Sequence, residues 1–269
     1  MKPPKRRRKR KIPDPGIARL RPGGFLNSRI PVSQADKLLL FDIDGTLVDT
    51  EGAGLGSLED GFFNAFPHCR GKDFPPLDLG GATDGSVVAF LFEHFEIDDH
   101  DGHRELFFDE YIIALDGRMG DFRNRGKGRV LPGVPELLRE LEQRDDCLMG
   151  LLTGNIEAGA RLKLRYFEID HHFCFGAYGN DHPLRNELGP IAIDRAEGMS
   201  GQRFEPQRTV IIGDTLKDIA CARAFGAHVI AVATGGASYE QLESGKPDVL
   251  LTDLAKTDEV ASAIDSLFQ

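Results

Sequence analysis

Two aspartates spaced two apart, Asp42 and Asp44, follow the apolar run Leu38-Leu39-Leu40-Phe41. Side chains alternate along a strand, so both leave it on one side, near its carboxyl end. Gly45 permits a sharp exit, and Thr46 adds a hydroxyl and an amide. Such a group suits a phosphate together with a divalent cation. A second apolar run, Leu151-Leu152, ends in Thr153-Gly154-Asn155, where a hydroxyl and two amides at a helix N-terminus make an anion site. A third, Val210-Ile211-Ile212-Gly213, ends in Asp214, with Asp218 about one helical turn later. Four carboxylates at one sheet edge would repel one another without a cation. Mg²⁺ suits them, because it takes oxygen ligands and keeps room for waters and a substrate phosphate. Each motif alone also reads as an ordinary helix cap. Their recurrence at successive strand ends points to a site, since the carboxyl ends of parallel strands share one edge.

The elements that must position these residues alternate from Ala35 onward, short apolar strands with amphipathic helices, the signature of a parallel α/β sheet. Strands are expected at 38–43, 147–152, 209–213, 228–232 and 248–251, with a further one at 172–175. Val134, Leu137, Leu138 and Leu141 form a helical stripe behind Pro132-Gly133, and Val260, Ile264 and Leu267 another. Ser238 with Gln241 fits a capping box. Between the first strand and Val130 the alternation gives way to three helical faces: Leu55, Leu58, Phe62, Ala65 and Phe66; then Val87, Val88, Leu91, Phe92 and Phe95; then Phe107, Tyr111 and Leu115. The expected organisation is a doubly wound, Rossmann-like α/β core of residues 35–54 and 127–269, with a helical cap of 55–126 inserted after the first strand. The Gly- and Arg-rich stretch Arg118 to Arg129 reads as the hinge back into the core.

At 269 residues and 41% hydrophobic, with 18 Phe, the chain can bury a full core. No apolar run reaches the roughly 20 residues a bilayer needs, so the chain reads as soluble, unexported and cytoplasmic, without a membrane partner. The four cysteines, Cys69, Cys147, Cys174 and Cys221, lack paired spacing and read as reduced thiols. Residues 1–34 are expected to be disordered: residues 1–12 carry eight Lys or Arg, leaving about −18 on the rest of a chain whose formal charge is −10. An acidic body argues against nucleic-acid binding other than through that tail. Oligomeric state is not legible.

The order DxDGT, strand-terminal Thr-Gly-Asn, then GDTxxD resembles the haloacid dehalogenase superfamily of hydrolases over about residues 37–255, closest to its phosphoglycolate phosphatase-like branch. The resemblance implies a Mg²⁺-dependent phosphatase acting on a small phosphorylated metabolite, with a cap that closes over it. Asp42 would be the nucleophile and Asp44 the general acid and base, its pKa usefully lifted toward neutrality. Asp42, the carbonyl of Asp44, and Asp214 would bind the metal, Asp218 acting largely through water. Thr153, Gly154 and Asn155 would hold the phosphate.

The pattern departs at the third motif, where relatives place a Lys before the helix expected near Ile191; no Lys occurs between Lys163 and Lys217. Arg185 is the nearest cation and is expected to bridge phosphate and Asp42, with Arg195 as the other candidate. Thr83 and Asp84, behind Gly80-Gly81-Ala82, resemble a loop that helps choose the substrate, although an N-cap explains them equally well. Arg161, Lys163 and Arg165 read as a solvated helix face, and the histidines as structural or surface groups. A mutase or dehalogenase of the same superfamily, or a nucleic-acid end-processing protein anchored by the tail, are the rival readings.

Overall fold

The structure, a computed structural model, describes residues 35–269, so the basic tail and its expected disorder lie outside the described residues. Eight strands and nine helices run in the order β1 (Lys37–Phe41), β2 (Val48–Asp49), α1 (Ala53–Ala65), α2 (Asp84–Phe95), α3 (Asp101–Arg125), β3 (Arg129–Val130), α4 (Val134–Leu141), β4 (Cys147–Leu152), α5 (Glu157–Tyr166), β5 (Gly176–Ala177), α6 (Leu188–Ser200), β6 (Thr209–Gly213), α7 (Leu216–Phe225), β7 (His228–Val232), α8 (Tyr239–Ser244), β8 (Val249–Leu251) and α9 (Thr257–Ser266) among the described residues. Six strands form one sheet in the order β5-β4-β1-β6-β7-β8, every pair parallel.

The continuous run Leu38-Leu39-Leu40-Phe41 is explained by β1 lying at the centre with both faces covered. Leu39 and Phe41 join a core layer with Val134 and Leu138 of α4, Ala160 of α5 and Ile264 of α9. Leu38 and Leu40 join the opposite layer with Ala192 of α6, Ala222 of α7 and Leu242 of α8. Each fully buried Leu, Ile, Val or Phe among them contributes about 1.5–3 kcal/mol relative to exposure. The sheet is therefore wound on both sides, and the order β4-β1-β6 puts Asp42, Thr153 and Asp214 at neighbouring strand ends.

Helices α1, α2 and α3 lie between β2 and β3 and share a third apolar cluster around Phe62, Phe92, Phe107 and Tyr111. The two chain passages into and out of this insert pair as a short antiparallel ribbon, Val48 opposite Val130 and Asp49 opposite Arg129. No helix among the described residues is long and apolar enough to cross a membrane. All four cysteines are free thiols; Cys174 is exposed and the other three are buried.

Several local expectations are corrected. No strand forms at 172–175; Phe173 and Phe175 pack into the two faces of the core, and the edge strand follows as Gly176–Ala177. Most of the expected hinge is helical, because α3 continues to Arg125, so only Gly126–Gly128 remain to turn the chain before β3. Helix α6 starts at Leu188, three residues before Ile191, behind a 3₁₀ turn over Arg185–Glu187. Leu55 does not share the buried face of α1 and stands 43% exposed. The capping box of Ser238 and Gln241 is present.

Candidate active site

Asp42 emerges from β1 almost fully buried, at 5% exposure, with its amide bonded to the Ile212 carbonyl of β6. Asp214 and Asp218, also buried, bring carboxylate oxygens within 4.8 Å of it and of each other. Gly45 turns the chain here at φ +82°, and a Cβ at that position would lie 2.4 Å from Asp214 Oδ2. Only glycine allows both the left-handed turn and this approach. Thr46 Oγ1 donates to Asp214 Oδ1 at 3.0 Å. Burial and the neighbouring Asp42 and Asp218 charges push the Asp214 carboxyl well above its ordinary value. Burial raises Asp42 as well, against the pull of Arg185.

Arg185 is the one guanidinium inside this group of described residues. Its Nη2 stands 3.2 Å from Asp42 Oδ2 and 2.5 Å from Asp218 Oδ1. The second oxygen of Asp218 accepts from the amide and hydroxyl of Thr215, completing a capping box at the start of α7. Arg185 Nε is buried and without a partner among the described residues, an unspent donor beside the carboxylates. Arg195, the other candidate, lies elsewhere and is bound to Asp181 and the Gly176 carbonyl.

The Asp44 side chain turns away from this cluster. Its Oδ2 accepts from Lys163 Nζ at 2.6 Å and Asn155 Nδ2 at 2.8 Å, and its Oδ1 from Thr50 Oγ1 at 3.2 Å. Desolvation raises its pKa, but the Lys163 ammonium and the three hydrogen bonds outweigh that and hold the carboxyl below its ordinary value. The expected lift toward neutrality is thus reversed, and the cause is Lys163. This residue does not lie on a solvated face. It is 3% exposed, on the buried stripe of α5 with Gly159, Ala160 and Leu164, while Arg165 alone of the three expected cations is exposed.

The Thr153-Gly154-Asn155 loop is differently arranged from the expected helix terminus. Helix α5 begins only at Glu157, and the amides at its start are taken: Ile156 N–H donates to Asp84 Oδ2 and Glu157 N–H to Asn180 Oδ1. Asn155 spends its side-chain amide on Asp44 and Thr153 Oγ1. The Gly154 N–H has no acceptor among the described residues. Gly154 must be glycine, because a Cβ there would lie 1.8 Å from the Ala82 carbonyl oxygen.

That close approach belongs to a seam between insert and core. Asp84 N–H donates to Gly154 O at 2.7 Å, and Thr83 Oγ1 to Pro183 O at 2.6 Å. Thr83 also caps α2 by accepting from Ser86 N–H. Both residues are buried, and only Asp84 reaches the cavity wall. Desolvation raises the Asp84 carboxyl to about 6, opposed by the Ile156 amide and Lys163. Above the seam opens a cleft of about 850 Å³ walled by Asp42, Asp44, Arg185 and Asp214 on one side and by Leu55, Leu58 and Tyr111 of the insert on the other.

Three buried carboxylates around one point, two of them raised in pKa by burial and mutual repulsion, fit a divalent cation with oxygen preference. The donor set is all oxygen, which favours Mg²⁺ over metals that seek nitrogen or sulfur.

Comparison with known proteins agrees with this geometry. The family model described as haloacid dehalogenase-like hydrolase matches residues 39–232. A phosphoglycolate phosphatase of Mesorhizobium japonicum is 26% identical over 208 residues, covering 74% of this chain and 83% of that protein. The tyrosine-protein kinase PtkA of Mycobacterium tuberculosis is 25% identical over 233 residues, covering 86% and 73%. The crystal structure of a beta-phosphoglucomutase from Clostridium difficile superposes with a TM-score of 0.62 at 17% identity, covering 87% of this chain and 98% of that one. The motif carboxylates at successive strand ends and the family match over most of the chain agree, and the chain belongs to the haloacid dehalogenase-like hydrolases.

Proposed function

We propose that the chain is a Mg²⁺-dependent phosphatase that hydrolyses a small phosphomonoester through an aspartyl-phosphate on Asp42. The observation that carries this reading is the pairing of Asp42 with Arg185 inside a cluster of three buried carboxylates. Asp42, Asp214 and the Asp44 carbonyl would hold the metal, with Asp218 behind them; bound there, Mg²⁺ supplies charge neutralisation for the phosphate. The free Gly154 N–H and the Arg185 guanidinium would receive phosphate oxygens.

In the first stage an Asp42 oxygen bonds to phosphorus as the ester P–O bond breaks, and the leaving alkoxide takes a proton from Asp44. The phosphate dianion raises the Asp44 pKa toward the protonated form this stage needs. In the second stage water attacks the phosphorus, Asp44 takes its proton, and Asp42 is released with inorganic phosphate. The Thr83 and Asp84 seam would hold the insert over the cleft and limit water during the first transfer.

The relatives include a phosphatase, a kinase and a mutase, so the outcome must be read from products. A panel of phosphate esters with and without Mg²⁺ tests the reading. Inorganic phosphate released only with Mg²⁺ supports it; phosphorylated isomers without phosphate release would instead identify a mutase.

A further inference from the structure

The half of the cleft that must receive the alcohol of the ester is chemically specific. Its insert wall, among the described residues, presents Leu55, Leu58, Leu79, Tyr111, Asp78 and Asp84 with backbone, and no Lys, Arg or His. The buried cation beside it, Lys163, is already matched by Asp44, with Asp84 as a second carboxyl nearby. Lys217 is exposed on the core rim, where water screens it. A carboxylate on the substrate would therefore meet carboxyls without a free buried cation, and a cation would meet the Lys163 ammonium.

Lys163 carries an unspent donor in this region. An ammonium carries three N–H groups. Two of those on Lys163 go to Asp44 Oδ2 at 2.6 Å and Asn155 Oδ1 at 2.7 Å. The third faces no acceptor among the described residues. Gly54 of α1 leaves room there, since even a Cβ at that position would stand 3.5 Å from Nζ. Asp84 Oδ1, also on the cleft wall, accepts no hydrogen bond from the described residues. A donor and an acceptor without partners, facing one cavity, match a hydroxyl, which accepts from one and donates to the other.

Resting on the phosphatase reading, we propose that the alcohol half of the substrate is uncharged and hydroxylated, with one hydroxyl seated between Lys163 Nζ and Asp84. This is the class of polyol and sugar phosphates. Sites that hydrogen-bond a substrate hydroxyl discriminate strongly against analogues that lack it, because the buried groups are then left unpaired.

The test is kcat/KM of the full chain with Mg²⁺ on glycerol 1-phosphate, propyl phosphate, 2-phosphoglycolate and phosphoethanolamine, with p-nitrophenyl phosphate as a general phosphatase probe. Glycerol 1-phosphate should exceed each of the three other alkyl esters by about tenfold or more. Lys163→Met should erase the preference for glycerol 1-phosphate over propyl phosphate, a ratio that loss of Asp44 positioning alone would leave intact because both esters release an alkoxide. A wild-type preference for 2-phosphoglycolate or phosphoethanolamine, or an unchanged ratio in Lys163→Met, would overturn the assignment and leave the phosphatase reading standing. Turnover of none of the five esters would overturn both.

Discussion

Lys163 Nζ stands 2.6 Å from Asp44 Oδ2 although 119 residues separate them in the chain. The contact joins α5 of the core to the loop after β1, and it lowers the pKa of the carboxyl proposed to move protons. Removing one partner of a buried, hydrogen-bonded pair leaves the other uncompensated. Because Asp44 is 39% exposed, the cost falls below the about 3–5 kcal/mol typical of full burial.

For Lys163→Met we expect kcat on an alkyl phosphate to drop by about 10²-fold or more. Lys163 lowers the Asp44 pKa, so its loss raises that pKa. The limb of the pH–rate profile that follows ionisation of Asp44 should move to higher pH. An unmoved limb would place proton transfer on another group.

Arg185→Ala should cut turnover by about 10³-fold or more, because Asp42 and Asp218 lose the cation they share. Arg185→Lys keeps the charge but loses the planar guanidinium whose Nη2 reaches both carboxylates while Nη1 donates to the Gly81 carbonyl, so it should recover only part of the activity. Steady-state kinetics of both variants, with circular dichroism to confirm folding, checks this. Wild-type activity in Arg185→Ala would move the role elsewhere.

Much of this site is legible in the chain. The carboxylates at strand ends follow from apolar runs that stop at Asp, and Arg185 follows as the nearest cation to an expected position. Lys163 is not legible by the same rule, because Arg161, Lys163 and Arg165 read as solvated charges. The signal that could have found it is the i, i+1, i+4, i+5 set Gly159, Ala160, Lys163 and Leu164, a buried stripe with one lysine in it. The misplaced strand near 172–175 has a similar cause: Phe173 and Phe175 supply core volume, only the Phe175 carbonyl joins the ladder by accepting from Leu151 N–H of β4, and β5 itself is only two residues of Gly and Ala. The seam escaped because backbone-to-backbone bonds such as Asp84 N–H to Gly154 O leave no mark on side-chain pattern.

Asp84 offers a stability prediction with a definite sign. Its pKa rises from 3.8 to about 6 in the folded chain, so the folded state holds the proton more tightly than the unfolded one between those values. Stability contributed by the protonated carboxyl is complete below the unfolded pKa and is lost as pH rises through the folded one. Asp84→Asn keeps an acceptor for the Ile156 amide without a charge. It should be more stable than wild type at pH 7 by about 1–3 kcal/mol and equal to it near pH 4. Urea denaturation at the two pH values measures the difference; equal stability at both would show that Asp84 is ionised without cost.

Metal binding should be visible without substrate. Mutual repulsion among Asp42, Asp214 and Asp218 is relieved by a bound cation, which stabilises the folded chain by about 2.7 kcal/mol at a hundredfold excess over Kd. For a chain of this size that is a rise in Tm of about 5–10 °C. Asp214→Asn should start with a higher Tm in EDTA and gain little from Mg²⁺. An Mg²⁺ response equal to that of wild type would place the ion elsewhere.

The central claim is covalent chemistry at Asp42, and phosphate release by Asp42→Asn in the presence of Mg²⁺ tests it most directly. The amide keeps the size of the side chain and removes the nucleophile, so release on an ester the wild type hydrolyses should fall by about 10⁴-fold or more, with the circular dichroism still that of the folded wild type. Release within tenfold of wild type would contradict the account.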